Sequence, residues 1–132
     1  MNPLIINLPK VPDLRGCLSF IEEELHVPFR IRRAYWIYDV PGGEHRGGHA
    51  FRNTDELIIA LSGSFDVVLH DGNHESHVHL NRSYYGVLVP KMRWRLLENF
   101  STNSLALIIA STNYDPSDYI RDFMEFQELV LS

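Results

Sequence analysis

The sequence predicts an all-β sandwich or barrel with a short C-terminal helix. Turn-forming glycine, proline and asparagine residues interrupt the chain about every eight to twelve residues, which is the spacing expected of such a fold. Short runs rich in β-branched and aromatic residues fill the intervals and would form about ten strands. A chain of 132 residues that is 45% hydrophobic suits one core, so we expect a single domain over residues 1–132.

The predicted strands differ in how their apolar residues are distributed. They cover residues 1–10, 18–21, 29–40, 56–61, 64–69, 77–80, 84–89, 94–98 and 105–110. Residues 64–70 alternate between apolar and polar, and together with the Asp71-Gly72 turn they predict a hairpin with one face in water. Residues 57–61 and 105–110 are apolar throughout, which predicts central strands covered on both faces.

The end of the chain carries the signals of a helix start. Asp115 and Pro116 suit the N-cap and the first helical position, so the predicted helix begins there. Its apolar residues recur at spacings of about three and four and form one stripe, suited to closing a barrel end or meeting a second subunit. The stripe consists of Tyr119, Ile120, Phe123, Phe126, Leu129 and Val130.

Charge and cysteine content exclude several classes of protein. Seventeen acidic residues against twelve basic ones give a net charge of −5, which argues against nucleic-acid binding. The N-terminus has neither a basic region nor a long apolar run, so no signal peptide and no membrane association are predicted. With Cys17 as the single cysteine, no intramolecular disulfide can form, and we expect a reducing, cytoplasmic location.

One long motif carries the functional argument. Residues 43–63 fit the first motif of the cupin superfamily, G-x5-H-x-H-x3-4-E-x6-G, at every fixed position except Phe51, where the second histidine belongs. His49 and position 51 are two apart on a strand, so both would point into the barrel, and Glu56 would join them from the next strand. The sequence therefore predicts a cupin, that is, an RmlC-like jelly-roll barrel.

The second cupin motif falls on residues 90–99, with Pro90 and Asn99 in register. Arg95 stands where the last histidine ligand would be, and a guanidinium is a permanent cation that repels a divalent metal. Only His49 and Glu56 remain of the usual four ligands, fewer than a catalytic metal prefers, so we predict no metal and no other cofactor. His77 and His79 also share a strand face, but they flank a hairpin turn and are expected to be exposed surface residues.

Further motifs extend over nearly the full chain, at residues 13–22, 33–41, 46–50, 61–64, 84–86 and 115–122. With them the chain resembles the sugar-nucleotide 3,4-ketoisomerases, the WxcM-like or FdtA-type cupins that act on dTDP-4-keto-6-deoxyglucose in bacterial surface-polysaccharide pathways. The resemblance implies a metal-independent isomerase that forms homodimers by exchanging N-terminal strands. The family usually reads R-G-x-H-A-H-K, whereas this chain has Phe51 in place of the second histidine.

The resemblance assigns roles to several residues. In a 4-keto sugar the carbonyl acidifies the C3 proton, and His49 is the candidate base that moves this proton to C4, kept partly neutral by burial. Tyr38 or Arg46 could stabilise the enediolate oxygen. Arg33, Arg46, Arg52, Arg93 and Arg95 are the arginines available to bind the diphosphate.

Competing interpretations accompany these assignments. Trp94 or Tyr84 could stack on the thymine base, although strand aromatic residues mostly pack in a core. Glu56 suits pairing with an arginine better than chemistry. The whole chain could also be a catalytically impaired cupin that binds the nucleotide sugar, because Phe51 has replaced a histidine. A metal-dependent cupin dioxygenase would need ligands that the sequence does not supply.

Overall fold

Short β-rich segments separated by turns form two five-stranded antiparallel sheets and one two-stranded sheet in the computed structural model, which describes residues 2–132. Its strands are β1 (Leu4–Asn7), β2 (Val11–Asp13), β3 (Gly16–Leu18), β4 (Arg33–Tyr38), β5 (Arg46–Phe51), β6 (Glu56–Ser62), β7 (Phe65–His70), β8 (Glu75–Leu80), β9 (Tyr85–Val89), β10 (Trp94–Glu98), β11 (Leu105–Ala110) and β12 (Tyr119–Ile120). One α-helix, α1 (Phe123–Leu131), follows them. The prediction of an all-β fold with a C-terminal helix is confirmed.

Two five-stranded sheets enclose the main core. Their strand orders are β1-β9-β6-β11-β4 and β12-β5-β10-β7-β8. Ile58 and Ile108 face the second sheet, whereas Leu57 and Ile109 pack beneath the N-terminal segment on the outer side. The prediction that β6 and β11 are covered on both faces is therefore confirmed. The predicted hairpin is also present, because β7 pairs with β8 from Phe65↔Leu80 to His70↔Glu75.

The C-terminal helix begins later than the sequence predicts. Asp115 caps a 3₁₀ turn, Pro116–Asp118, and Tyr119–Ile120 then pairs with β5. The helix begins at Phe123, with Asp122 as its N-cap. The prediction is wrong because tertiary contacts outweigh the local helix signal. The buried Asp118 carboxylate accepts a hydrogen bond from the Asn53 backbone N–H at 2.7 Å and one from the Thr54 hydroxyl.

The N-terminal region also departs from the prediction. Met1, the first residue of the predicted strand 1–10, lies outside the described residues. The predicted strand at 18–21 does not form, since only Leu18 is in a strand. Leu18 ends β3, which pairs with β2 in an exposed hairpin with Leu14 fully in solvent at the tip. The predicted strand 29–40 forms only over Arg33–Tyr38. No helix among the described residues has both the length and the apolar character needed to span a membrane.

Candidate active site

Strand β5 carries His49 into the space between the two sheets. The side chain is 6% exposed, and its ring lies 4.7 Å from that of Phe51, the next residue on the same face of the strand. Tyr119 pairs with Phe51 across the β5–β12 ladder and places its ring 4.9 Å from His49. No described residue supplies a hydrogen-bond partner to the buried His49 Nε2. A buried polar atom without a hydrogen-bond partner is rare in folded proteins, so His49 Nε2 calls for a functional explanation.

A charged network lies beside His49. Arg95 on β10 pairs with His49 in the strand register and is 1% exposed, while Glu56 on β6 is fully buried. Arg95 donates from Nε to Glu56 Oε1 at 3.0 Å, and from Nη2 to the Tyr35 hydroxyl at 2.9 Å. The Tyr35 hydroxyl in turn donates to Glu56 Oε2. Three strands thus contribute one closed network, as the interpretation of Glu56 as an arginine partner anticipated.

This network also fixes the chain just before His49. Arg95 Nη1 donates to the Gly47 carbonyl oxygen at 2.9 Å. Gly47 has φ +74°, and a Cβ at this position would lie 2.1 Å from Arg95 Nη1. Only glycine combines this backbone conformation with so close an approach. Gly47 therefore allows Arg95 to lie against β5, the strand that carries His49.

Burial and nearby cations determine the protonation states in the site. Burial, together with the positive charges of Arg95, Arg121 and Arg33, lowers the pKa of His49 from 6.5 to about 2. The imidazole is therefore neutral at physiological pH. Because partial neutrality was predicted, the pKa is lowered in the predicted direction but by more than expected. Burial also raises the pKa of Tyr35, so its hydroxyl stays protonated. Burial alone would lower the pKa of Arg95, but the Glu56 carboxylate raises it, so Arg95 remains charged.

Two more arginines stand over the aromatic rings around His49. The Arg33 guanidinium lies 5.3 Å from the Tyr35 ring centroid and 6.0 Å from that of Phe51. Its buried Nε has no hydrogen-bond partner within residues 2–132. The Arg121 guanidinium lies 4.3 Å from the centroid of the Tyr119 ring. Positive charge is thus concentrated next to the histidine of a protein that is acidic as a whole.

Tyr38 does not lie where the sequence analysis expects it. Exposure alternates along β4, so that Arg33, Tyr35 and Ile37 are partly buried while Tyr38 is 61% exposed. Side chains two apart share a face, which puts Tyr38 on the opposite face from Arg33. The tyrosine whose hydroxyl lies next to Arg95 is Tyr35. The expectation that Tyr38 stabilises the enediolate oxygen is therefore wrong.

Three other predicted binding residues also lie away from His49. Arg46 is exposed at the start of β5, the end opposite Phe51. Tyr84 precedes β9 at the same end of the barrel, where Lys10 Nζ lies 4.2 Å from its ring centroid. Trp94 packs on the outer face of β10 against the rings of Phe123 at 5.3 Å and Phe126 at 5.8 Å. Of the predicted site residues, the fold brings together His49, Arg33 and Arg95.

The sequence analysis missed Tyr35, Tyr119 and Arg121. Tyr35 had a usable signal, because it lies two residues from Arg33 on one strand. Tyr119 and Arg121 fell within the predicted helix, so the pairing of Tyr119 with Phe51 on β5 was hidden. His77 and His79 are exposed and contact Glu75 at 2.9 Å and Asp66 at 2.6 Å, as expected of surface residues in a hairpin.

Comparison with known proteins identifies the family. Residues 1–131 match the family model described as FdtA: WxcM-like, C-terminal. The chain belongs to the FdtA family. The resemblance stated from the motifs is confirmed, and the barrel of this FdtA-family protein is an RmlC-like cupin fold.

Three relatives illustrate the match. The FdtA-family chain is 36% identical over 130 residues to the TDP-4-oxo-6-deoxy-alpha-D-glucose-3,4-oxoisomerase of Aneurinibacillus thermoaerophilus, covering 98% of this chain and 94% of the relative. A crystal structure of a 3,4-ketoisomerase from Helicobacter canadensis superimposes with a TM-score of 0.96 at 36% identity, covering 100% and 99% of the two chains. A variant of the 3,4-ketoisomerase QdtA from Thermoanaerobacterium thermosaccharolyticum, in complex with TDP-4-keto-6-deoxyglucose, gives 0.94 at 29% identity, covering 98% and 94%.

Proposed function

We propose that this FdtA-family protein interconverts the 4-keto and 3-keto forms of a dTDP-linked 6-deoxyhexose. The relatives that it matches over nearly their full length are 3,4-ketoisomerases, and one of them binds TDP-4-keto-6-deoxyglucose. The observation that carries the proposal is the neutral, buried His49, whose Nε2 has no partner in the described chain and whose surroundings are cationic. Such an imidazole can accept a proton from an anionic substrate held against it.

The proposed reaction moves one proton between two carbons. His49 removes the proton from C3, which the C4 carbonyl has acidified, and O4 gains a proton, so that an enediol forms. The imidazolium then delivers a proton to C4 while O3 loses its proton, leaving the ketone at C3. We also propose that the enzyme is a single domain and that it is located in the cytoplasm. Its reaction would serve the synthesis of sugar nucleotides for bacterial surface polysaccharides.

The low pKa of His49 in the free protein fits this scheme once the substrate is bound. Two of the charges that depress the pKa belong to Arg121 and Arg33. A bound diphosphate would neutralise these charges locally, and the proton affinity of the imidazole would rise. The free enzyme would thus hold its base neutral, and substrate binding would strengthen that base.

We further propose that no metal takes part. Glu56, one of the two remaining cupin ligands, already accepts hydrogen bonds from Arg95 and Tyr35 with its two carboxylate oxygens. The guanidinium beside them occupies the position of a third ligand and repels a cation. Among residues 2–132 no group of three or more His, Cys, Asp or Glu side chains is arranged to hold a metal ion.

The experiment for both proposals is an isomerisation assay after dialysis against a chelator. Wild-type protein is incubated with dTDP-4-keto-6-deoxyglucose, and NMR follows the appearance of the 3-keto isomer. Conversion at the same rate before and after chelation is expected. Absence of conversion in both samples would reject the isomerase assignment, whereas activity that chelation removes and a divalent metal restores would reject metal independence alone.

We propose that Arg33 and Arg121 bind the diphosphate. They flank the rings beside His49, whereas Arg46 lies at the other end of β5. Replacing Arg121 by Met should weaken TDP binding by about 10- to 100-fold, since a hydrogen bond to a charged group contributes about 1.5–3 kcal/mol. Calorimetry with TDP measures the change, and Arg46→Met is the matched control, expected within about twofold of wild type. Equal losses in both variants would contradict this assignment.

We also propose that two copies associate by exchanging their N-terminal strands. Hairpin β2–β3 exposes Val11, Leu14 and Leu18, and a groove of about 650 Å³ on the outer face of the sheet is lined by the exposed Trp36 and Tyr38. Exposed apolar side chains on both elements suit an interface, and the hairpin of a second copy would supply an apolar partner for the groove.

Sedimentation equilibrium tests the association. Wild-type protein should have twice the mass of the 15.3 kDa chain, and Trp36→Glu should shift it towards the monomer because a carboxylate is costly to bury in an apolar interface. A monomeric wild-type protein at micromolar concentration would refute the dimer.

A further inference from the structure

The site holds one histidine, yet the proposed reaction moves protons at four atoms. While the proton leaves C3 and reaches C4, O4 must gain a proton and O3 must lose one. Phe51 fills the position next to His49 and has no group that can exchange a proton. Tyr35 is tied by hydrogen bonds to both Glu56 and Arg95. A second proton carrier is needed on the same side of the barrel.

Tyr119 lies in the right place for this task. Its ring is 4.9 Å from that of His49 and 4.6 Å from that of Phe51. Strand alternation explains the orientation, because the neighbouring Ile120 is buried with Phe126 on the opposite side of β12. Tyr119 is partly exposed, so the residue is not sealed in the core.

A guanidinium lies beside the Tyr119 ring. The Arg121 guanidinium stands 4.3 Å from the ring centroid. A cation at this distance stabilises the charge that builds up on the phenol oxygen while its proton is being transferred. Burial is the main cause of the raised pKa of Tyr35, Arg95 opposes it and Glu56 adds to it, and Tyr119 makes the smallest contribution, so the two tyrosines are within electrostatic reach.

We propose that Tyr119 is a further catalytic residue that carries a proton between the two sugar oxygens, an inference that rests on the proposed isomerase function. In the first step His49 takes the C3 proton, the C3–H electrons form the C3=C4 bond, and O4 receives the Tyr119 proton. In the second step the O3 proton returns to Tyr119, the C3=O bond forms, and C4 takes the proton from His49. Both side chains end as they began, and no co-reactant is consumed.

The test compares Tyr119→Phe with Tyr85→Phe. The first variant keeps the ring against His49 and removes only the hydroxyl, and the second removes a half-buried hydroxyl that bonds Asn81 at the far end of the barrel. For Tyr119→Phe we expect kcat to fall by about 10²–10⁴-fold, the usual contribution of a general acid–base group, with TDP affinity within about threefold of wild type. Tyr85→Phe should stay within about twofold of wild-type kcat.

The outcomes separate this inference from the function on which it rests. An active wild-type enzyme together with a Tyr119→Phe variant that keeps kcat within threefold would overturn the role of Tyr119 alone. A wild-type protein without activity would instead reject the isomerase assignment. Retained TDP binding shows that the variant is folded, and loss of TDP binding in Tyr119→Phe would make the residue a binding contact and also overturn the proposal.

Discussion

The His49→Asn variant is expected to isomerise dTDP-4-keto-6-deoxyglucose about 10²–10⁴-fold more slowly than wild type, because removing a general base costs rate by this order. Asparagine preserves a polar side chain in the 6% exposed position but cannot accept and return a proton. The loss should appear in kcat, while TDP affinity stays within a fewfold of wild type, since the proposed diphosphate contacts come from Arg33 and Arg121.

His79→Asn provides the control for this variant. His79 is an exposed histidine on β8 whose ring Nδ1 lies 2.6 Å from Asp66 Oδ1. Its replacement should leave kcat unchanged within about twofold, as is usual for surface substitutions away from a site. A His49→Asn enzyme that keeps more than a tenth of wild-type kcat would show that the base is another residue.

Replacing Glu56 by Gln is expected to lower the free energy of unfolding by about 3–5 kcal/mol, the usual cost of leaving a buried charge unpaired. Glu56 is fully buried, and its partner Arg95 is 1% exposed, so water cannot replace the lost charge. The amide would still accept a hydrogen bond, but the guanidinium would keep its charge. Urea unfolding measures the effect as a lower midpoint at an unchanged m-value.

Two comparisons show whether the buried charge is responsible. Glu125→Gln breaks the surface pair with Arg52, whose atoms are 3.2 Å apart, and should cost less than about 1 kcal/mol. The double variant Glu56→Leu with Arg95→Met removes both buried charges and should be more stable than Glu56→Gln. A Glu56→Gln protein within 1 kcal/mol of wild type would contradict the account of the network.

Patterns with a single structural solution could be predicted from the sequence. The apolar stretches of β6 and β11 allow only strands that are covered on both faces, and the alternation of β7 around Asp71-Gly72 allows only a hairpin. The spacing of the cupin motif placed His49 inside the barrel, and the interpretation of Glu56 as the partner of an arginine matches its pair with Arg95.

The remaining site residues depend on information that is not local. Tyr38 was predicted for the site, but Tyr35 lies there. The two residues are three positions apart, and an odd number of positions along a strand turns the side chain to the other face. Tyr119 and Arg121 follow a segment whose first residues satisfy the rules for a helix start. Only the contacts of Asp118 with Asn53 and Thr54 decide that the chain continues as a strand beside β5.

The most direct test of proton transfer by His49 follows wild-type protein and dTDP-4-keto-6-deoxyglucose in D₂O by NMR. A solvent-exchanging imidazole that moves a proton from C3 to C4 predicts a 3-keto product with deuterium at C4. Neither product nor deuterium at C3 or C4 above a protein-free control would contradict the central claim.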